Sequence, residues 1–114
     1  MGVNMTTTLN ALAEPNRLNM IELLRSGPLT VGEIAERLGL LQPQASKHIR
    51  VLHEAGLVDV QPAANRRICR LRPEPFLALN AWLDTYRDIW EERLDNLDHY
   101  LHKLQSEELT KNES

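Results

Sequence analysis

Four short helices, a β-hairpin and one long helix are what this 114-residue sequence predicts, a mainly α fold class. Three observations predict it. Apolar residues recur at three- and four-residue spacing through residues 6–56, the period of helices with one buried face. Two short β-type runs flank a turn between residues 57 and 71. From Leu79 onward the apolar positions step by 4, 3, 4, 4, 3, 4 and 3, a heptad-like seam.

Each element has its own signals. Thr6–Ala13 is a short helical piece with Leu9 and Leu12 on one face. Pro15 suits the first turn of a second helix, where no backbone donor is lost. Leu18, Ile21 and Leu24, with Met20 and Leu23, form its stripe, and Gly27-Pro28 stops it. In the third helix Thr30 and Glu33 have capping-box spacing; Val31, Ile34, Ala35 and Leu38 make the buried face, and Gly39 ends it. In the fourth, Ala45, Ile49 and Leu52 share one side, and Gly56 follows its end. Leu57–Gln61 and Arg66–Leu71 are the expected strands, around a turn at residues 62–65. Alternation puts Arg67, Cys69 and Leu71 on one face and Arg66, Ile68, Arg70 and Arg72 on the other. Pro73 and Pro75 open the last helix. Residues 6–105 are expected to form one domain; 1–5 and 106–114 are expected to be disordered ends.

Composition narrows the function classes. A single cysteine, Cys69, leaves no internal disulfide framework and fits a reducing, cytoplasmic setting. The first twelve residues lack a basic and then apolar signal pattern, and no apolar run approaches the roughly 18 residues of a membrane span, so no membrane partner is expected. No nucleophile elbow, phosphate-cradling loop or metalloprotease signature is present, so an enzyme is not expected. Net charge is −3, but its distribution is uneven. Residues 42–72 carry six Lys/Arg against two Asp/Glu, and residues 73–114 carry four against ten. A basic middle followed by an acidic helix suggests one surface for an anion and another for a different purpose.

The basic block coincides with the fourth helix and the hairpin. The third and fourth helices, joined by "LGLLQPQ", have helix-turn-helix proportions. In that motif the second helix enters the major groove of double-stranded DNA by its N-terminal residues. Gln42, Gln44, Ser46 and His48 are candidates for base edges; Lys47 and Arg50 for phosphate or mixed contact. Arg66, Arg67 and Arg70, on a hairpin placed as a wing, would lie along the backbone, where cations release counterions.

Together "LAEPNRLNMIELL", "LTVGEIAERLGL", "QPQASKHIRVLHEAGLV" and "NRRICRLRPEP" closely resemble the ArsR-type winged-helix transcriptional repressors, over about residues 9–105. The long helix looks most like the metal-independent, SdpR-like autorepressor branch. The resemblance implies a homodimer paired through the first and last helices, with Leu9, Leu12, Leu83, Tyr86, Trp90, Leu94, Leu97 and Leu101 at the contact, on a palindromic operator. Two positions depart from the family pattern. Leu41 stands where a Ser or Thr N-cap is usual, and the hairpin tip has no Gly, leaving Asn65 as the expected carrier of positive φ.

The resemblance also frames the alternatives. Metal-sensing relatives carry a Cys-x-Cys pair where this chain has Thr30 and Gly32, which supply no thiolate. A second metal site of the family lies on the last helix; Asp88, His99 and His102 match it in part, with Tyr86 in place of its first ligand. No cofactor is expected, and no effector is named by any motif. A metal-responsive repressor using those three residues is one alternative. A winged-helix protein-interaction module without DNA binding is another. Cys69 is expected to be a buried hydrophobe, and Trp82 and Trp90 core or dimer contacts.

Overall fold

Local capping signals set the helices. The computed structural model describes residues 4–113, with side chains to residue 108. Helix α1, Met5–Leu12, starts at Asn4, whose side chain accepts the Thr7 N–H at 3.1 Å. Helix α2, Pro15–Leu24, starts at Glu14, whose carboxylate accepts the Arg17 N–H at 2.9 Å. Helix α3, Val31–Leu38, has the expected reciprocal box: Glu33 N–H donates to Thr30 Oγ1 and Thr30 N–H to Glu33 Oε1, both at 3.1 Å. The Thr30 N–H bond to the carboxylate favours its ionised form and is the main cause that holds the Glu33 pKa below its ordinary value. Gly39 leaves α3 at φ +66, the left-handed geometry that a side chain would penalise. Helix α4, Gln42–Glu54, buries Ala45, Ile49 and Leu52 as expected.

The buried face of α2 differs from the sequence expectation. Met20, Ile21 and Leu24 are buried, whereas Leu18 is 47% exposed. At about 100° per residue, Leu18 lies roughly 110° from the centre of the arc those three residues define, outside the buried face. In α1, Thr8 and Ala11 are buried; Leu9 stays exposed and Leu12 packs partly against the core.

Three antiparallel strands form one sheet in the order β1-β3-β2: β1 Leu29–Thr30, β2 Val58–Ala63 and β3 Arg66–Leu71. The hairpin was expected; β1 was not. It pairs Leu29 with Cys69 and Thr30 with Ile68. Two residues are too few to leave a periodic signal. Pro62 belongs to β2 rather than to the turn, which is compatible with an edge strand lacking one donor. The turn also corrects the expectation for Asn65: the residue with positive φ is Ala64, at 56°. The two-residue connection places its left-handed conformation at the first position, at a cost of about 1–2 kcal/mol for a residue with a Cβ.

The residues up to Leu79 make one compact unit and those from Asn80 a second. The first holds the core, in which Met20, Ile34, Leu52, Leu57 and Val58 are fully buried. Helix α5, Pro73–Glu113, contributes Phe76 to that core and then runs through the second unit. It continues through residues 106–113, read above as an end; residues 1–3 and 114 lie outside the described residues.

Cys69 sits on the central strand, with no exposed surface. Burial pushes its thiol up from 9.0 to about 11, against a smaller opposing effect of the Arg67 charge. The thiol is therefore neutral at pH 7. Alkylation with iodoacetamide is expected to be slow in the native protein and fast in denaturant; rapid native labelling would refute the burial. The folded pKa exceeds the unfolded one, so this contribution to stability is complete below pH 9. It is lost as pH rises from 9 towards about 11.

Candidate nucleic-acid interface

The residues proposed from sequence separate into outward-facing and internally engaged groups. Leu41, just before α4, and Gln42, Gln44, Lys47 and Arg50 of α4 are exposed. On the neighbouring hairpin, Arg66, Arg67 and Arg70 are exposed as well. Lys47, Arg50 and Arg67 line a groove between helix and wing, floored by Ile49, His53 and Val60. Gln42, Arg66 and Arg67 line a smaller polar recess with Thr30 and Gly32 at the start of α3. Arg67 borders both depressions.

The start of α4 has an unusual cap. Leu41 is the N-cap residue; its carbonyl accepts the Gln44 and Ala45 N–H groups at 3.0 and 3.1 Å, but its side chain provides no acceptor for the first turn. Only the return half of a capping box forms: the Leu41 N–H donates to Gln44 Oε1 at 3.1 Å. Gln44 thus holds the helix start as well as being a candidate for base contact. Its carbonyl oxygen has a second lone pair, and its amide N–H groups make no bond among the described residues, so the two roles are compatible.

Ser46 and His48 are engaged within the protein. Arg67 Nη2 donates to Ser46 Oγ at 3.0 Å, tying the wing to α4 across 21 positions of sequence. His48 turns towards the start of α2. Its Nδ1 lies 3.4 Å from Arg17 Nη1 and 3.7 Å from Glu14 Oε2. Arg17 also donates to the carbonyls of Ala11, at 2.6 Å, and Asn10, at 3.4 Å, satisfying acceptors at the end of α1. Glu14 and Arg17 thereby set the position of α4, a role the sequence reading missed. Glu14 before Pro15 was a legible helix start; nothing in the spacing pointed from Arg17 to His48, 31 residues away.

The cations are not equivalent. Arg50 pairs with Glu54 at 3.1 Å, although both side chains remain more than 60% exposed. Arg70 stands opposite Asp59 in the strand register. Among the described residues, Lys47, Arg66, Arg67 and Arg70 form no ion pair, although the Arg66 charge helps to lower the Glu33 pKa. His53, near the end of α4, donates from Nδ1 to the Val58 carbonyl at 3.0 Å and joins α4 to β2.

The second unit carries a different surface. Leu83, Tyr86, Trp90, Leu94, Leu97 and Leu101 are exposed along α5. Trp82 and Tyr86 meet edge to face, with ring centres 5.4 Å apart. Asp88, His99 and His102 are exposed on the same helix. Among the described residues no three His, Cys, Asp or Glu side chains gather as a metal site, and no helix is long and apolar enough to cross a membrane.

Comparison with known proteins agrees with this layout. A family model described as a helix-turn-helix domain matches residues 12–61. The chain is 42% identical over 76 residues to the HTH-type transcriptional regulator Rv2034 of Mycobacterium tuberculosis, covering 67% of this chain and 71% of that protein. It is 32% identical over 55 residues to the transcriptional repressor SdpR of Bacillus subtilis, covering 48% of this chain and 61% of that protein. A crystal structure of an ArsR family transcriptional regulator superposes with a TM-score of 0.70 at 32% identity, over 80% of this chain and 97% of that one.

Proposed function

Since this chain belongs to the ArsR family of winged helix-turn-helix transcriptional repressors, we propose that it binds a palindromic operator as a homodimer, with α4 in the major groove and the β2–β3 wing along the backbone. DNA binding and repression follow from the family; the dimer, the operator symmetry and the contact residues are the reading offered here. The cytoplasm, where the DNA of such a regulator lies, is its proposed place of action.

One observation carries the reading: Lys47 and Arg50 of α4 line one depression and Gln42 and Arg66 a second, and Arg67 of the wing borders both. Gln42 and Gln44 supply the donor and acceptor pair that matches adenine N6 and N7. Lys47, Arg50, Arg66, Arg67 and Arg70 supply charge for phosphates, with Arg50 the one held in an ion pair among the described residues. Ser46 and His48 keep their proposed places near the bases, but each must share its polar atom with Arg67 or Arg17. The apolar face of α5 supplies the dimer contact, together with Leu9 and Leu12 of α1. Asp88, His99 and His102 have no role in this reading.

The test is a pair of substitutions in gel shifts on the operator and on random duplex. Gln44→Ala is expected to lower the ratio of specific to non-specific affinity by about 5- to 100-fold, the scale of one lost base contact. That ratio is independent of the folded fraction, so the accompanying loss of the α4 cap does not obscure it. Arg66→Ala is expected to weaken both affinities alike. An unchanged ratio in Gln44→Ala would remove Gln44 from the base-reading set.

A further inference from the structure

We propose that Leu41 reads sequence directly, by packing its side chain on the C5-methyl group of a thymine next to the bases met by Gln42 and Gln44. The inference rests on the DNA-binding role of α4 and adds a residue of a different chemistry to it.

Leu41 is 70% exposed, the most exposed large hydrophobic residue described in this chain. Its neighbour Leu40 packs against the core instead, so burial of this stretch does not require a second leucine. The position it occupies is one where Ser, Thr, Asp or Asn would bond the first-turn N–H groups. Leucine gives up that bond, and the remaining half of the box relies on Gln44. In the free protein, then, the Leu41 side chain neither caps the helix nor fills the core. What distinguishes it is place: it adjoins Gln42 at the end of α4 that enters the groove in this motif.

The chemistry of an A·T pair suits that placement. In the major groove adenine presents N7 and its N6 amino group, which a glutamine amide can match, and thymine presents an acceptor and a methyl group. An apolar side chain beside a glutamine can therefore discriminate the thymine partner or that of the adjacent pair. Serine at position 41 would stabilise the helix but leave the methyl in contact with a polar group.

The experiment uses the full chain and the duplex it selects from random-sequence DNA. Each thymine of a half-site is replaced in turn by uracil, which removes only the methyl. The wild type is expected to lose about fourfold in affinity at one or two positions, the scale of one buried methyl. Leu41→Ala is expected to bind more weakly and to be indifferent to uracil at those same positions. Leu41→Ser is expected to melt at a higher temperature than the wild type and yet bind the thymine duplex more weakly, a split that a purely structural residue would not produce. Three results overturn the proposal: uracil without effect at every position, the same uracil penalties in Leu41→Ala, or Leu41→Ser binding as tightly as wild type. A wild-type chain that selects no sequence overturns the operator reading beneath it too.

Discussion

Trp90→Glu combined with Leu94→Glu is expected to convert the protein to a monomer and to lower operator affinity at least 100-fold, while the unit up to Leu79 stays folded. The two side chains are 63% and 60% exposed, and Leu83, Tyr86, Leu97 and Leu101 continue the same seam. Helices of this kind draw most of their stability from packing an apolar face rather than from intrinsic propensity. A run of aromatic and leucine side chains in water at heptad-like spacing is the pattern of a helix completed by another helix. A second copy of the chain is the occupant that the proposed two-fold operator requires. Two glutamates in the seam would be buried without partners in the dimer but solvated in the monomer. The loss in affinity follows because each linked half-site interaction raises the effective concentration of the other, typically by 10²–10⁴ in overall binding. Light scattering and gel shift on the same samples check both parts. A variant that remains dimeric, or a monomer that binds the full operator as tightly as wild type, would remove α5 from the dimer contact.

The second large effect is that of salt. Between 50 and 200 mM monovalent salt, operator affinity is expected to fall by roughly 10³-fold, corresponding to about six neutralised phosphates per dimer. The number is modest because Arg50 is tied to Glu54 and Arg70 faces Asp59. Lys47, Arg66 and Arg67 are then the main contributors in each protomer. Arg66→Ala should flatten the logarithmic slope by about 2 per dimer, one contact from each copy. The whole chain has a net charge of −3, so a steep slope would show that the local strip, not the net charge, governs the encounter. A slope near zero would mean that helix and wing do not lie on phosphates.

Much of the architecture was determined by signals that act within about one helical turn. The Thr30–Glu33 box, the Ala45–Ile49–Leu52 face, the exits at Gly39 and Gly56 and the alternation that buries Cys69 all involve residues close in sequence. Their partners are set by backbone geometry alone, so spacing suffices to find them. The cationic block at residues 42–72 was legible for the same reason, since charge is a property of the residues wherever they fold.

Tertiary structure decided what lies across longer separations. It selected Met20 over Leu18 for the interior, added the two-residue strand β1, and put the positive φ on Ala64 instead of Asn65. It turned His48 to Arg17 and Ser46 to Arg67, so two residues that composition would send to bases are held first by the protein. It left Leu41 in water, where apolar character by itself would have argued for burial. In each case the outcome depends on which atoms another element brings within bonding distance, and no periodicity in one segment encodes the surface of its neighbour.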